Sequence, residues 1–440
     1  MSQADRTARS TSRAPGREQR AATAIAPATL RLQLGRLQRQ LVRHQRTTFL
    51  LASGISTAGS FAGLTAKGWL LMEGAGNPLL LALHFALLTL PTLLVSGPAG
   101  VLTDRIGSER VLIRAQWALF TAAVLGALAI PVSRGTTQDL LLLLSTLGIG
   151  TASAYELTAR NKYVALLVEE PAQLGPYLAS FSVIFNVGKL VGPPIGGLLL
   201  AATGPTLALS LDAASYLLPI ATLLWLMQPR RDQERRSAAG ASASLGTAWR
   251  ECGPALRHVL RFTALACLVG FFHPGLAPLM ADRLLGPSPM ALGLFTSVIA
   301  AGSISGGVVL QRNAAAMASR PGLLMGLSTL ITGLAQLGLA LDGRQAWGLL
   351  MAFLIGLGTA SLLAGTNLII QVHAPQVLRG RMAGLGQIAF LGGGGLSGLA
   401  AAGLSLWAPL GVWGCFGVLG GLGVLLGSRE LIRRGDLRLP

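Results

Sequence analysis

The sequence predicts an all-α membrane protein of twelve transmembrane helices, arranged as two pseudo-symmetric bundles of six. Three observations predict it. Of 440 residues, 52% are hydrophobic and 12% charged, whereas soluble domains carry about 25% charged residues. Mean hydropathy is +0.59. Apolar runs near the ~20 residues that cross a bilayer recur twelve times along the chain. Finally, GIGTAS at 148–153 recurs as GLGTAS at 356–361. Beyond those blocks, Pro171, Leu174, Ala179, Ile184, Gly188 and Pro205 match Pro375, Leu378, Ala383, Ile388, Gly392 and Pro409 at one constant offset. Lipid satisfies no backbone polar group, so each span is a helix or part of a closed barrel. Runs this long without alternation are helices.

Residues 1–47 form a basic tail. Residues 1–28 read as disordered. In 29–47, Leu30, Leu34, Leu37 and Leu41 recur at helical spacing, with Arg36, Arg39, Arg43 and Arg46 on other faces. That pattern suits either a helix lying on an anionic leaflet or a solvated tail. The N-terminal half, 48–228, holds spans at 48–71, 78–102, 111–131, 138–160, 175–203 and 205–228. A linker at 229–258 opens on the charged run PRRDQERR and closes on Leu245, Trp249, Cys252 and Leu256, spaced as one face of a short in-plane helix. The C-terminal half, 259–428, holds spans at 259–281, 288–311, 322–341, 346–372, 382–405 and 409–427, followed by a basic tail at 429–440.

The net charge of +18 comes from 35 basic and 17 acidic residues. It sits at helix ends and tails, which points to anionic lipid rather than nucleic acid. Alternate loops collect the arginines: Arg105 and Arg110, Arg160 with Lys162, Arg230 to Arg236, Arg312, Arg320, Arg379 and Arg429 to Arg438. The positive-inside rule makes that side cytoplasmic, with both termini inside a cell membrane. The tail lacks the short apolar core of a signal peptide. Cys252, Cys267 and Cys415 show neither a close pair nor metal-ligand spacing. No phosphate loop or nucleophile elbow stands out, so neither a cofactor, a metal nor catalysis is expected.

Between the second and third spans stands GVLTDRIGSERVL, residues 100–112. Gly100 allows close helix approach, Gly107 a tight turn, and Asp104 can face an arginine or a helix N-terminus. On the fifth span stands GKLVGPPIGG, residues 188–197, where Gly188, Gly192, Gly196 and Gly197 remove bulk and Pro193 permits a bend. The first motif resembles the cytoplasmic-loop signature of the major facilitator superfamily, matched by Gly100, Leu102, Asp104, Arg105, Gly107 and Arg110, with Glu109 at a usually basic position. The second resembles the antiporter motif of that superfamily's exporters. TARNKYVALLVEEPAQL at 158–174, Asn186 and Lys189 before Gly-Pro, and VLRGRMAGL at 377–385 are similar to the bacterial drug and siderophore exporter subgroup.

The resemblance implies a major facilitator fold and alternating access, in which two halves rock about a central site. It implies a conformational latch at Gly100, Asp104, Arg105, Gly107 and Arg110, with Arg160 beside it. It also implies a monomer that exports a small organic or amphiphilic molecule in exchange for protons. Two departures stand against the pattern. The arginine common in the fourth span of proton-coupled exporters is Leu144 here, and the loop LQRNAAAMASRPG of the second half has no acid.

Charged groups inside a membrane are costly and usually face the bundle interior. Glu156, Asn186, Lys189, Asn367 and Gln387 are therefore the candidate cavity and coupling residues. Glu156 and Arg160 are an i, i+4 pair, which reads either as a local ion pair or, with Arg160 turned to Asp104, as a free proton carrier at Glu156. Asp212 is read as a packing acid, Lys67 as a group snorkelling to the outer interface, and His84 and His273 as hydrogen-bonded packing residues. Two other functions remain: a lipid or lysolipid flippase of the same fold, and a non-transporting membrane sensor whose tail binds a partner.

Overall fold

The computed structural model describes residues 17–75, 77–168, 171–226, 245–341, 344–375, 379–407 and 411–434. The chain forms two compact units, Met1–Thr48 and Phe49–Pro440. Its long helices are α1 (Arg17–Ala75), α2 (Pro78–Ile106), α3 (Ser108–Val132), α4 (Gly135–Leu166), α5 (Pro171–Thr203) and α6 (Pro205–Trp225). In the second half they are α7 (Pro254–Leu285), α8 (Pro289–Arg312), α9 (Pro321–Leu341), α10 (Gln345–His373), α11 (Arg379–Leu406) and α12 (Gly411–Arg434). Among the described residues, eleven helices contain a stretch long and apolar enough to cross a membrane, and Val187–Thr203 of α5 is a shorter apolar stretch. The fold class is the expected one.

Local chemistry explains the helix ends. Proline starts α2, α6, α7 and α8, where its missing N–H costs nothing. Asn77 Oδ1 accepts from the Leu79 N–H at 2.9 Å and caps α2. A single residue, Gly107, joins α2 to α3 with φ 92° and ψ 148°, a backbone region essentially reserved for glycine. Helix α1 begins at Arg17, where the sequence suggests disorder up to residue 28; the alanine, arginine, glutamine and leucine content of 17–41 favours helix. The charged linker run at 229–236 lies outside the described residues. A short helix is present at Leu245–Glu251, and Trp249, Cys252 and Leu256 pack on the core of the second half.

The glycine motif on α5 seats two other helices. A side-chain carbon at Gly188 would lie 2.8 Å from the Gly54 carbonyl oxygen, and one at Gly192 2.6 Å from Phe61 Cβ. At Gly196 it would lie 2.8 Å from Ala62 Cα. These positions are one helical turn apart and form a groove for α1. Gly197 faces the other half, 2.6 Å from the Pro289 carbonyl oxygen and 3.1 Å from Gly293 Cα on α8. The repeat on α11 does the same: Gly393 faces the Ala264 carbonyl of α7 at 2.8 Å, while Gly392 and Gly395 face Leu93 and Thr89 of α2 at 2.6 and 2.5 Å.

Among the described residues the two halves touch through α5–α8, α2–α11 and α2–α7, where Gly275 faces Phe85, from the middle of α2 to the end opposite the 100–112 loop. Beyond Leu93, one face of α2 is open, while Ala99 and Thr103 on the opposite face stay buried in the N-terminal half. Leu94 is 80% exposed, and a carbon added at Gly97 or Gly100 would meet nothing within 4 Å.

Gly192→Val is expected to force α1 off its groove, at about 1–3 kcal/mol for an overpacked contact. Thermal unfolding in detergent should show a lower midpoint, whereas Gly97→Ala should leave it unchanged or slightly raised.

Candidate functional site

A cluster of charged and aromatic side chains lies in the N-terminal half, assembled from α1, α3, α4 and α5. Glu156 and Arg160 sit one turn apart on α4. Arg160 Nη1 donates to Glu156 Oε1 at 2.8 Å, and both side chains are about 90% buried. Gln116 of α3 points its amide nitrogen at the same oxygen, at 3.5 Å. Arg160 Nε and Gln116 Oε1 are buried without a hydrogen-bond partner. From α5, Phe181 and Phe185 present their rings to the guanidinium at 5.4 and 4.5 Å. Lys189, one turn further along, lies 4.6 Å from the Phe185 ring and 5.7 Å from that of Phe61 on α1. Two cations thus lie over one phenylalanine, and Lys189 has no ion-pair partner among the described residues. Such contacts strengthen where the cation is stripped of water.

The local reading of Glu156 and Arg160 is the one realised. Asp104 takes a different partner: Lys162 Nζ donates to its Oδ1 at 2.8 Å, with side-chain exposures of 25% for the lysine and 48% for the aspartate. Arg160, expected near the latch and in one of two readings paired with Asp104, is turned inward by α4, which brings Lys162, two residues on, to the loop. Arg105 and Arg110 are exposed beside Gly107, and Gly100 is open on its helix face. Pro193 is buried within a continuous α5. The Asn186 side chain lies outside the described residues. Asn367 and Gln387 are half-buried on α10 and α11 of the other half, and a side-chain carbon at Gly386 would lie 3.9 Å from Asn367 Oδ1.

Lys67 departs from expectation. It has no exposed surface, and its Nζ donates to Ser145 Oγ of α4 at 2.8 Å. Position 67 faces into the half rather than toward lipid, so the side chain cannot snorkel. Gly126 makes the room: a carbon there would lie 2.9 Å from Lys67 Cε. A signal was available, because Asp212 is the acid at matching depth on the sixth span. His84 packs as expected, its Nδ1 2.9 Å from Thr146 Oγ1.

Removing Glu156 strands a buried cation, whereas the Asp104–Lys162 pair is half solvated. Double-mutant cycles read by unfolding in detergent should separate them. Glu156→Ala should cost about 3–5 kcal/mol, and the coupling of Asp104 with Lys162 should be about 1 kcal/mol or less.

Solved transporters share this architecture. The nucleoside transporter NupG superposes with a TM-score of 0.64 at 12% identity, over 88% of this chain and 99% of that one. A POT family transporter in complex with 5-aminolevulinic acid gives 0.66 at 15% identity, over 88% and 96%. By sequence, the chain is 25% identical over 354 residues to the multidrug efflux pump Tap of Mycobacterium tuberculosis, covering 76% of this chain and 81% of that one. It is 27% identical over 356 residues to Tap of Mycolicibacterium fortuitum, covering 77% and 84%. A family model described as transmembrane secretion effector matches residues 41–419. The protein is a multi-pass membrane transporter, not an enzyme, and it belongs to the transmembrane secretion effector family of the major facilitator type.

Proposed function

We propose that the protein exports small amphiphilic organic molecules from the cytoplasm by alternating access, in exchange for protons. The observation that carries this reading is the Phe185 cluster. Phe61, Phe181 and Phe185 offer apolar faces to a substrate body, while Arg160, Lys189 and Glu156 offer one acceptor and two cations to its polar groups. A small set of charges among aromatic walls is the usual make-up of a site for amphiphilic ligands. The efflux-pump names of the relatives support export. In this reading Glu156 and Lys189 contact the substrate from the N-terminal half, and Asn186, Asn367 and Gln387 complete the cavity.

The arginine-rich loop ends are cytoplasmic, with both termini, and the basic tail rests on anionic lipid. The structure is then inward-open, because the glycine contacts between the halves lie at the opposite end. Asp104, Lys162 and the Gly107 turn form the latch that engages when the cytoplasmic end closes. The unit of transport is a monomer of two halves.

The test is ethidium transport in proteoliposomes under an imposed proton gradient, with a fluorescent lysolipid in parallel. Glu156→Gln and Lys189→Ala should raise KM by about tenfold with a smaller change in turnover, as loss of ground-state contacts does. Asp104→Asn should lower turnover instead. Gly197→Leu should stop exchange, since the outer end can no longer close. Movement of lysolipid without ethidium, independent of the gradient, would replace this reading with the flippase.

A further inference from the structure

The N-terminal half buries a second pair of charges, apart from the Phe185 cluster. Lys67 on α1 is fully buried, and Asp212 on α6 is 2% exposed. Each lies about two turns from the same end of the bundle, Lys67 before Ala75 and Asp212 after Pro205. The two groups interact electrostatically, yet no ion pair joins them. Lys67 spends one donor on Ser145 Oγ at 2.8 Å, which in turn donates to the Ala122 carbonyl at 2.7 Å. Asp212 Oδ1 has no hydrogen-bond partner.

The space around both groups is kept by glycines. The Asp212 carboxyl occupies the volume a side chain at Gly63 would need, in contact with Oδ2 and Cγ, and Gly126 does the same for the Lys67 chain. The other titratable groups facing the pair are His84 of α2, held by Thr146 of α4, and Tyr216 of α6, whose hydroxyl accepts from Ser60 of α1. Glu156 of α4 acts on Tyr216 electrostatically from the Phe185 cluster. An ionised carboxylate with an unpartnered oxygen is not tolerated in a dry interior. The ammonium that would neutralise it stands aside on Ser145.

We infer that Asp212 and Lys67 form the proton-loading site of the transporter: Asp212 carries the proton, and Lys67 becomes its counter-ion once the proton has left. The carboxyl is loaded from water when the outer end opens. On unloading, the O–H bond breaks, its electron pair stays on the carboxylate, and the proton passes to water. The Lys67 ammonium then leaves Ser145 and closes on the carboxylate. No oxidant or further reactant is needed. This rests on the proton-exchange reading above, but the site also has a signature of its own.

The experiment has two arms, both on the full-length protein. In the first, infrared difference spectra across a pH titration in detergent should show a carboxylic-acid carbonyl band. That band should be missing from Asp212→Asn and kept in Glu156→Gln; a band unchanged in Asp212→Asn overturns the proposal. If Asp212→Asn does not fold, Gly63→Ala presses on the same carboxyl and should move the band, and an unmoved band again overturns it. In the second arm, Asp212→Asn and Lys67→Met should lose gradient-driven ethidium movement by at least about tenfold, the size of an ordinary coupling, while gradient-free ethidium exchange persists. Gradient response kept in both variants overturns the proposal. If the wild type exchanges ethidium but ignores the gradient, proton exchange fails as the energy source, while the infrared band still supports Asp212 as a proton site.

Discussion

The absence of water from the bilayer interior governs this structure. Each backbone polar group must be satisfied within the chain, which leaves helices as the elements. Where a helix is broken, a neighbour must repair it. Helix α7 is interrupted after Gly270, at Phe271 and Phe272, and Gln336 of α9 donates to the freed Gly270 carbonyl at 2.7 Å. The same constraint sets helix packing. Apolar side chains gain little from leaving lipid, so association depends on close van der Waals contact, and glycine supplies it. The Gly188, Gly192 and Gly196 groove for α1 follows from this. So does the inward placement of Glu156, Arg160, Lys67 and Asp212.

Much of the fold was legible in the sequence because length and hydropathy record the solvent directly. Twelve runs, two halves and the α5 motif need only counting and spacing. The division of labour within that motif was not legible. One face of α5 holds α1, and of the motif's glycines Gly197 alone reaches α8; which glycine meets which helix depends on the rotation of α5 about its axis. Rotation also misplaced Lys67. Near a span end a lysine can snorkel to water or turn inward to a serine, and residue spacing does not separate these. Spacing left the partner of Asp104 open for a related cause. Arg160 and Lys162 lie two residues apart, which on a helix is more than half a turn, so one faces the core and the other the loop.

The two buried charge clusters solve the same problem differently. Glu156 and Arg160 share one helix, so their 2.8 Å pair is carried along when that helix moves as a body. Such a pair is a fixed dipole that can orient a ligand. Lys67 and Asp212 sit on different helices and are held apart, with Ser145 serving as a resting place for the lysine. Their separation changes whenever α1 shifts against α6. A charge pair that is sensitive to helix position suits coupling to motion, and one that is insensitive suits binding.

The contact between the halves at Gly197 and Gly293 is backbone against backbone. Between these two glycines there is no side chain to interlock. Interdigitated side chains would make a ratchet, with discrete registers and a barrier between them. A bare surface instead lets the halves part and reclose at this end without unpacking a rotamer. Opening this end then gives up backbone contact alone, a loss that lipid or water can refill, rather than the disengagement of interlocked side chains.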